Sequence, residues 1–169
     1  MSAGVDGSPA AALVARLTAT GATLAVAESL TGGALAAAVV DVPGASRCFR
    51  GGVVAYATDL KAALLGVAPD LLARVGAVHP EVAAAMAEGV RARLGATYGL
   101  ATTGVAGPDP QDGHAPGTVF VAVAGPSGTD VASPPPPVPG GRAAVRSGAR
   151  DAALALALRR VGDDDDGPA

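Results

Sequence analysis

The stretch TLAVAESLTGG, from Thr23 to Gly33, decides the fold. Thr23 to Ala27 is a short, mostly apolar run with the length of a buried strand, and Ala34 to Val40 behind it reads as a helix closed by Pro43 and Gly44. Between them, Glu28 to Gly33 makes a strand-to-helix junction. In an α/β sheet such a junction lies beyond the carboxyl end of the strand, where a helix N-terminus offers unpaired N–H groups and a positive dipole end to a ligand. Ser29 stands there. Gly32 and Gly33 let a ligand approach the backbone closely, and the amides of Thr31, Gly32 and Gly33 suit an oxyanion or a phosphate. The same residues also suit a plain capped helix after a tight glycine turn.

Outward from this junction the pattern repeats. Ala10 to Thr20 carries Leu13, Val14 and Leu17 as a helical stripe that stops at Gly21. Gly51 to Ala57 reads as a strand, with Thr58 as N-cap of a helix over Asp59 to Leu65 and Gly66 as its stop. Helices over Asp70 to Val75 and Pro80 to Leu94 follow, then strands at Tyr98 to Thr103 and Thr118 to Ala124 around a Gly- and Pro-rich loop. Thr129 to Ala132 reads as an edge strand before Ser133 and the run Pro134 to Pro137, and Gly141 to Val161 as a closing amphipathic helix. Strands alternating with helices predict a three-layer α/β domain, and the hairpin from Thr118 to Ala132 makes the sheet mixed, though mainly parallel. One domain is expected over residues 10–161, with a disordered N-terminus over 1–9 and a disordered acidic tail over 162–169.

Composition narrows the partners. Half of the 169 residues are hydrophobic and 16% are charged, so the chain folds around a core. Aromatics make up 2%, Trp is absent and the net charge is −3, which argues against a nucleic-acid partner, since that needs stacking platforms and a basic face. One cysteine, Cys48, and two histidines give neither a disulfide nor a zinc spacing; a reducing, cytoplasmic compartment is expected, with no metal and no cofactor. The longest apolar runs, Ala34 to Val40 and Ala152 to Leu158, fall far short of the roughly 20 residues that span a bilayer, so no membrane association is expected.

Of the 12 basic residues eleven are arginine, and the one lysine is Lys61. Arginine carries a surface charge as well as lysine does but cannot be deprotonated in a protein, so only lysine can act as a base. A serine hydroxyl is a poor nucleophile until a base takes its proton, and a lysine desolvated among Leu60, Ala62, Ala63 and Leu64 suits that task. Tyr56, five residues earlier, has a hydroxyl placed to relay or orient the proton, or is simply a ring at a strand end. The segment TTGVAGP, Thr102 to Pro108, again follows a strand and makes a far wall for the same cleft through Thr103, Gly104, Ala106 and Gly107. It is neither a Walker A loop nor a dinucleotide fingerprint.

In order along the chain, AESLTGG (27–33), VPGAS (42–46), GGVVAY (51–56), Lys61, LGV (65–67), GAV (76–78), MAEG (86–89), TGVAGP (103–108), PGTVFVA (116–122) and GR (141–142) resemble the CinA C-terminal domain family. That family includes amidases that hydrolyse the carboxamide of nicotinamide mononucleotide. The resemblance implies an α/β/α sandwich, a homo-oligomer, a small nucleotide substrate, Ser29 as nucleophile, Lys61 as base and Tyr56 at the matching tyrosine. Arg142 and Arg146 are candidates for the substrate phosphate, and Glu28 for a ribose hydroxyl or the amide nitrogen, or for the helix N-terminus. Two departures stand out. His79 replaces the usual serine before the helix at Pro80, which predicts weaker capping by about 1 kcal/mol. The loop DPQDGHA, 109–115, is less glycine-rich than usual and bears on access to the cleft. The alternative to an amidase is a non-catalytic nucleotide-binding or interaction domain.

Overall fold

The computed structural model describes residues 7–135 and 140–166. Five strands form one sheet in the order β2-β1-β3-β4-β5, with β1 at Leu24–Glu28, β2 at Phe49–Val54, β3 at Tyr98–Gly104, β4 at Val119–Gly125 and β5 at Gly128–Ala132. β2, β1 and β3 pair in parallel, while β4 pairs antiparallel with both β3 and β5. Four strands therefore run one way and β4 alone runs back, as the hairpin signal predicts. Among the described residues six α-helices flank the sheet: α1 (Pro9–Thr20), α2 (Ala34–Val40), α3 (Thr58–Leu65), α4 (Pro69–Val75), α5 (Pro80–Leu94) and α6 (Gly141–Asp166). Among the described residues no helix is long and apolar enough to cross a membrane.

Strand side chains alternate, and here the alternation is one of size. Leu24, Val26, Tyr98, Leu100, Val119, Val121 and Val123 point to the face covered by α1, α2 and α6. Ala25, Ala27, Ala101, Ala122 and Ala124 point to the other, where Val82, Met86 and Val90 of α5 pack on them. With so little side chain on that face, helix backbone comes close to the sheet. A Cβ placed on Gly99 would lie 2.1 Å from the Ala87 carbonyl oxygen, and one on Gly89 of α5 would lie 1.9 Å from the Leu65 carbonyl oxygen of α3.

Most strand boundaries differ from the sequence reading by a residue and β2 by up to three, at Phe49–Val54 in place of Gly51 to Ala57; three further differences concern how helices begin and end. Ser8 and Pro9 are ordered: the Ser8 hydroxyl accepts from the Ala11 amide and Pro9 occupies the first turn of α1, a cap and a proline that together start the helix. The start of the acidic tail is helical, since α6 runs on to Asp166. Carboxylates at a helix C-terminus oppose its dipole, but tertiary partners overcome that. Arg16 pairs with Asp165 at 2.9 Å, Arg160 lies 3.4 Å from Asp164, and Asp164 also accepts from the Tyr98 hydroxyl at 3.0 Å and from Ser127. Thr58 is not the cap of α3; Ala57 holds that position without a side-chain bond and Thr58 is the first helical residue. The expected disorder of residues 1–6 and 167–169, and Pro136 and Pro137 of the proline run, lie outside the described residues.

Candidate active site

At the carboxyl ends of β1 and β3 the chain opens into a cleft of about 410 Å³ lined by Ser29, Lys61, Tyr56, Arg142 and the segment Thr103 to Gln111, with Ala77 and Val78 between. Ser29 arrives from the β1–α2 junction and Lys61 from α3, so each of the two helical layers supplies one residue. Lys61 is 1% exposed and Ser29 is 7% exposed. The Lys61 Nζ donates to Ser29 Oγ at 3.1 Å, to the Ala55 carbonyl at 2.8 Å and to the Tyr56 carbonyl at 3.1 Å. An ammonium has three protons, and these three acceptors take them all. Burial pulls the lysine down from its usual 10.5 to about 8. At pH 7 roughly one molecule in ten then holds a neutral amine. Two protons of that amine stay on the carbonyls, and the lone pair is left facing Ser29 Oγ.

Glu28 is turned inward and lines no part of the cleft. It is 1% exposed, and its two carboxyl oxygens accept from the Leu35 amide at 2.8 Å and the Ala36 amide at 3.1 Å, in the first turn of α2. That helix begins at Gly33, whose φ of 103° leaves no side chain to cap it, so Glu28 supplies the acceptor from seven residues upstream. Thr31 is fully buried, its hydroxyl 2.8 Å from that of Thr102. The Gly32 amide is taken by the Ser29 carbonyl at 3.1 Å, which removes it from the expected anion-binding set. Among the described residues the amides of Leu30, Thr31 and Gly33 have no acceptor.

The far wall follows the sequence reading in place but not in every role. The Thr103 hydroxyl donates to the Ala77 carbonyl at 2.8 Å and so ties the wall to the entry of α5. Gly104 has no room for a side chain, because a Cβ would lie 2.6 Å from the Thr118 carbonyl oxygen. Ala106 and Gly107 line the cleft, and the Gly107 carbonyl accepts from Arg142 Nη1 at 2.8 Å. Arg142 Nη2 donates to the Tyr56 hydroxyl at 3.2 Å. The Tyr56 residue is 59% exposed and its phenol oxygen accepts from Arg142, while Ser29 and Lys61 touch directly and the contact of Tyr56 with Lys61 is through its backbone carbonyl. Arg146 is not in the cleft lining: it donates to the Leu30 and Thr31 carbonyls.

His79 does cap α5, its Nδ1 accepting from the Glu81 amide at 3.2 Å, so the imidazole takes over the role of a serine hydroxyl. In the loop that departs from the usual pattern, Gln111 and His114 exchange both backbone hydrogen bonds around Asp112 and Gly113, two residues with positive φ that form a tight hairpin turn. The turn brings Asp109, Pro110 and Gln111 into the cleft lining, where the sequence marked the 109–115 loop only as bearing on access. Thr102 was likewise missed as an individual residue. Its carbonyl fixes the Ser29 amide at 3.1 Å, and a run of hydroxyl residues at a strand end was the available clue.

The fold and this cleft define a three-layer α/β protein with a buried serine–lysine pair beyond the carboxyl ends of its parallel strands. The chain belongs to the CinA C-terminal domain family, which matches residues 7–161. It is 54% identical over 158 residues to a CinA-like protein of Frankia casuarinae, covering 94% of this chain and 36% of that protein. The chain thus spans about a third of the length of the curated relatives it matches. Among solved structures, the competence damage-inducible protein A of Klebsiella pneumoniae superposes with a TM-score of 0.86 at 31% identity, covering 91% of this chain and 95% of that one. A competence/damage inducible protein of Agrobacterium tumefaciens gives 0.85 at 30% identity, over 91% and 93%.

Proposed function

We propose that this domain is an amidohydrolase that converts nicotinamide mononucleotide to the acid and ammonia, with Ser29 as nucleophile and Lys61 as base. The observation that carries the reading is the three-point hold on the Lys61 Nζ, which leaves a neutral amine one free lone pair, aimed at Ser29 Oγ. Neutral Lys61 takes the Ser29 proton as Oγ bonds to the carboxamide carbon. The oxyanion forms against the amides of Leu30 and Thr31, with Gly33 close by. Collapse breaks the C–N bond while Lys61 returns the proton to the departing nitrogen, so ammonia leaves and an ester remains on Ser29. Water, deprotonated in turn by Lys61, releases the carboxylic acid and restores the hydroxyl.

The phosphate contact in this reading rests on Arg142, the arginine that lines the cleft, because Lys61 must be neutral to act as base. Arg142 spends two of its five N–H donors on Gly107 and Tyr56, and the remainder suit a phosphate. The nucleotide itself and a homo-oligomer come from the family resemblance, and a cytoplasmic setting from the single cysteine.

Ammonia release from nicotinamide mononucleotide, with free nicotinamide and glutamine as controls, tests the reading. Release only from the nucleotide, abolished by Ser29→Ala, is expected. Binding of the nucleotide without ammonia release would make the domain a nucleotide-binding module instead.

A further inference from the structure

The loop that presents Ser29 is gripped from behind by a residue 117 positions away. Arg146, in the second turn of α6, donates from Nε to the Leu30 carbonyl at 2.9 Å and from Nη2 to the Thr31 carbonyl at 3.0 Å. The guanidinium is partly buried, and its Nη2 would lie 3.6 Å from a Cβ on Gly32. It lines no part of the cleft. A planar fork meeting two successive carbonyls is a bidentate, charge-assisted contact, stronger and more directional than a neutral hydrogen bond.

A trans peptide plane sets N–H and C=O in opposite directions. When Arg146 draws the Leu30 carbonyl to itself, the Thr31 amide on the same plane points away from it; the Thr31 carbonyl fixes the Gly32 amide in the same way, onto the Ser29 carbonyl. The orientation of a short loop containing two positive-φ glycines is thereby held by a charge outside it. Glu28 fastens the other end, accepting from the first turn of α2. The loop is pinned by a cation on its carbonyls and a carboxyl group on the amides that follow.

We propose that Arg146 is a positioning residue for acyl transfer, one that sets the Leu30–Thr31 peptide plane so that the Thr31 amide meets the developing oxyanion, and that keeps the Gly32 amide on the Ser29 carbonyl. It touches no substrate and holds no phosphate. The inference rests on Ser29 being the nucleophile, and deepens that reading.

Two readouts test it on Arg146→Ala and Arg146→Lys. The first is kcat and KM for ammonia release; the second is the rate at which a fluorophosphonate, whose P–O occupies the oxyanion position, labels Ser29. Loss of a preorganised oxyanion contact costs about 10²- to 10³-fold in kcat. Arg146→Ala should therefore lower kcat about 100-fold with KM within threefold, slow labelling at least tenfold, and leave the pH midpoint set by Lys61 near 8. Methylguanidinium should restore part of the rate. Arg146→Lys, with one point charge in place of a fork, should fall between and serves if the alanine variant does not fold. A raised KM at unchanged kcat would overturn the proposal in favour of substrate binding, and unchanged labelling would overturn it outright. If the wild type labels at Ser29 but releases no ammonia, the substrate is wrong and labelling still decides the role of Arg146. If the wild type does neither, both readings fall.

Discussion

The two faces of the sheet share the same strands but solve packing in opposite ways. On the α1, α2 and α6 side, leucines, valines and one tyrosine fill the space between sheet and helices. On the α5 side, alanines and glycines leave almost none, so α5 lies against the sheet and α3 lies backbone to backbone on α5. The first face behaves as an ordinary side-chain core. The second is a backbone contact surface, and Lys61 hangs from it. Lys61 is 1% exposed there, and that burial lowers it to about 8 although the carbonyls it meets favour the charged form. The dyad joins the faces, because Ser29 comes from the junction leading into the α2 layer.

If that contrast is right, small additions should damage the tight face and small deletions the filled one. Gly89→Ala forces a methyl against the Leu65 carbonyl, which neither helix can yield by a rotamer change. It should destabilise by about 3 kcal/mol or more in urea unfolding, and by pushing α3 outward it should also cut the activity of the molecules that remain folded. Leu17→Ala, fully buried on the filled face, should cost about 2–3 kcal/mol, the low end for such a truncation because α1 is an outer helix that can settle inward. Its kcat should stay close to wild type. Equal losses of kcat in the two variants would mean that the faces do not differ in their hold on the site.

Smaller effects probe the seam between the layers. Glu28→Gln keeps one acceptor oxygen but sets an NH₂ against a helix amide, and should cost about 1–2 kcal/mol. His79→Ala, which removes the imidazole cap of α5, should cost about 0.5–1 kcal/mol; no change would mean that the Nδ1 contact carries nothing.

Much of this was legible in the residues. The run from Thr23 to Gly33 gave a strand, a junction and a helix in the right places, because an apolar run and a pair of glycines are local signals. Lys61 stood out as the one lysine among arginines, but the neighbours expected to desolvate it do not: Leu60, Ala63 and Leu64 are exposed, and Lys61 is buried against Ser29 and the Ala55 and Tyr56 carbonyls instead. The side chains that depend on distant partners were not legible. Nothing near Arg146 says that it will turn to carbonyls at Leu30 and Thr31, and nothing in a run of four aspartates that Arg16 and Arg160 will hold it helical. The partner of Tyr56 was not legible for the same reason: its hydroxyl accepts from Arg142, 86 residues on. For Glu28 the helix N-terminus was one of the readings left open, and both of its oxygens go there.

The central claim is that Lys61, made neutral by burial, is the base for Ser29. Its most direct test is the rate of ammonia release from nicotinamide mononucleotide against pH, in the wild type and in Lys61→Met, a variant of similar length with no lone pair for the serine proton. The amine works only when deprotonated, so activity is lost on the acid side: kcat/KM should rise about tenfold per unit up to pH 8 and level off above it. Lys61→Met should fall by about 10³-fold or more at every pH while remaining folded. A rate that is flat from pH 6 to 9, or a methionine variant within tenfold of wild type, would contradict the account.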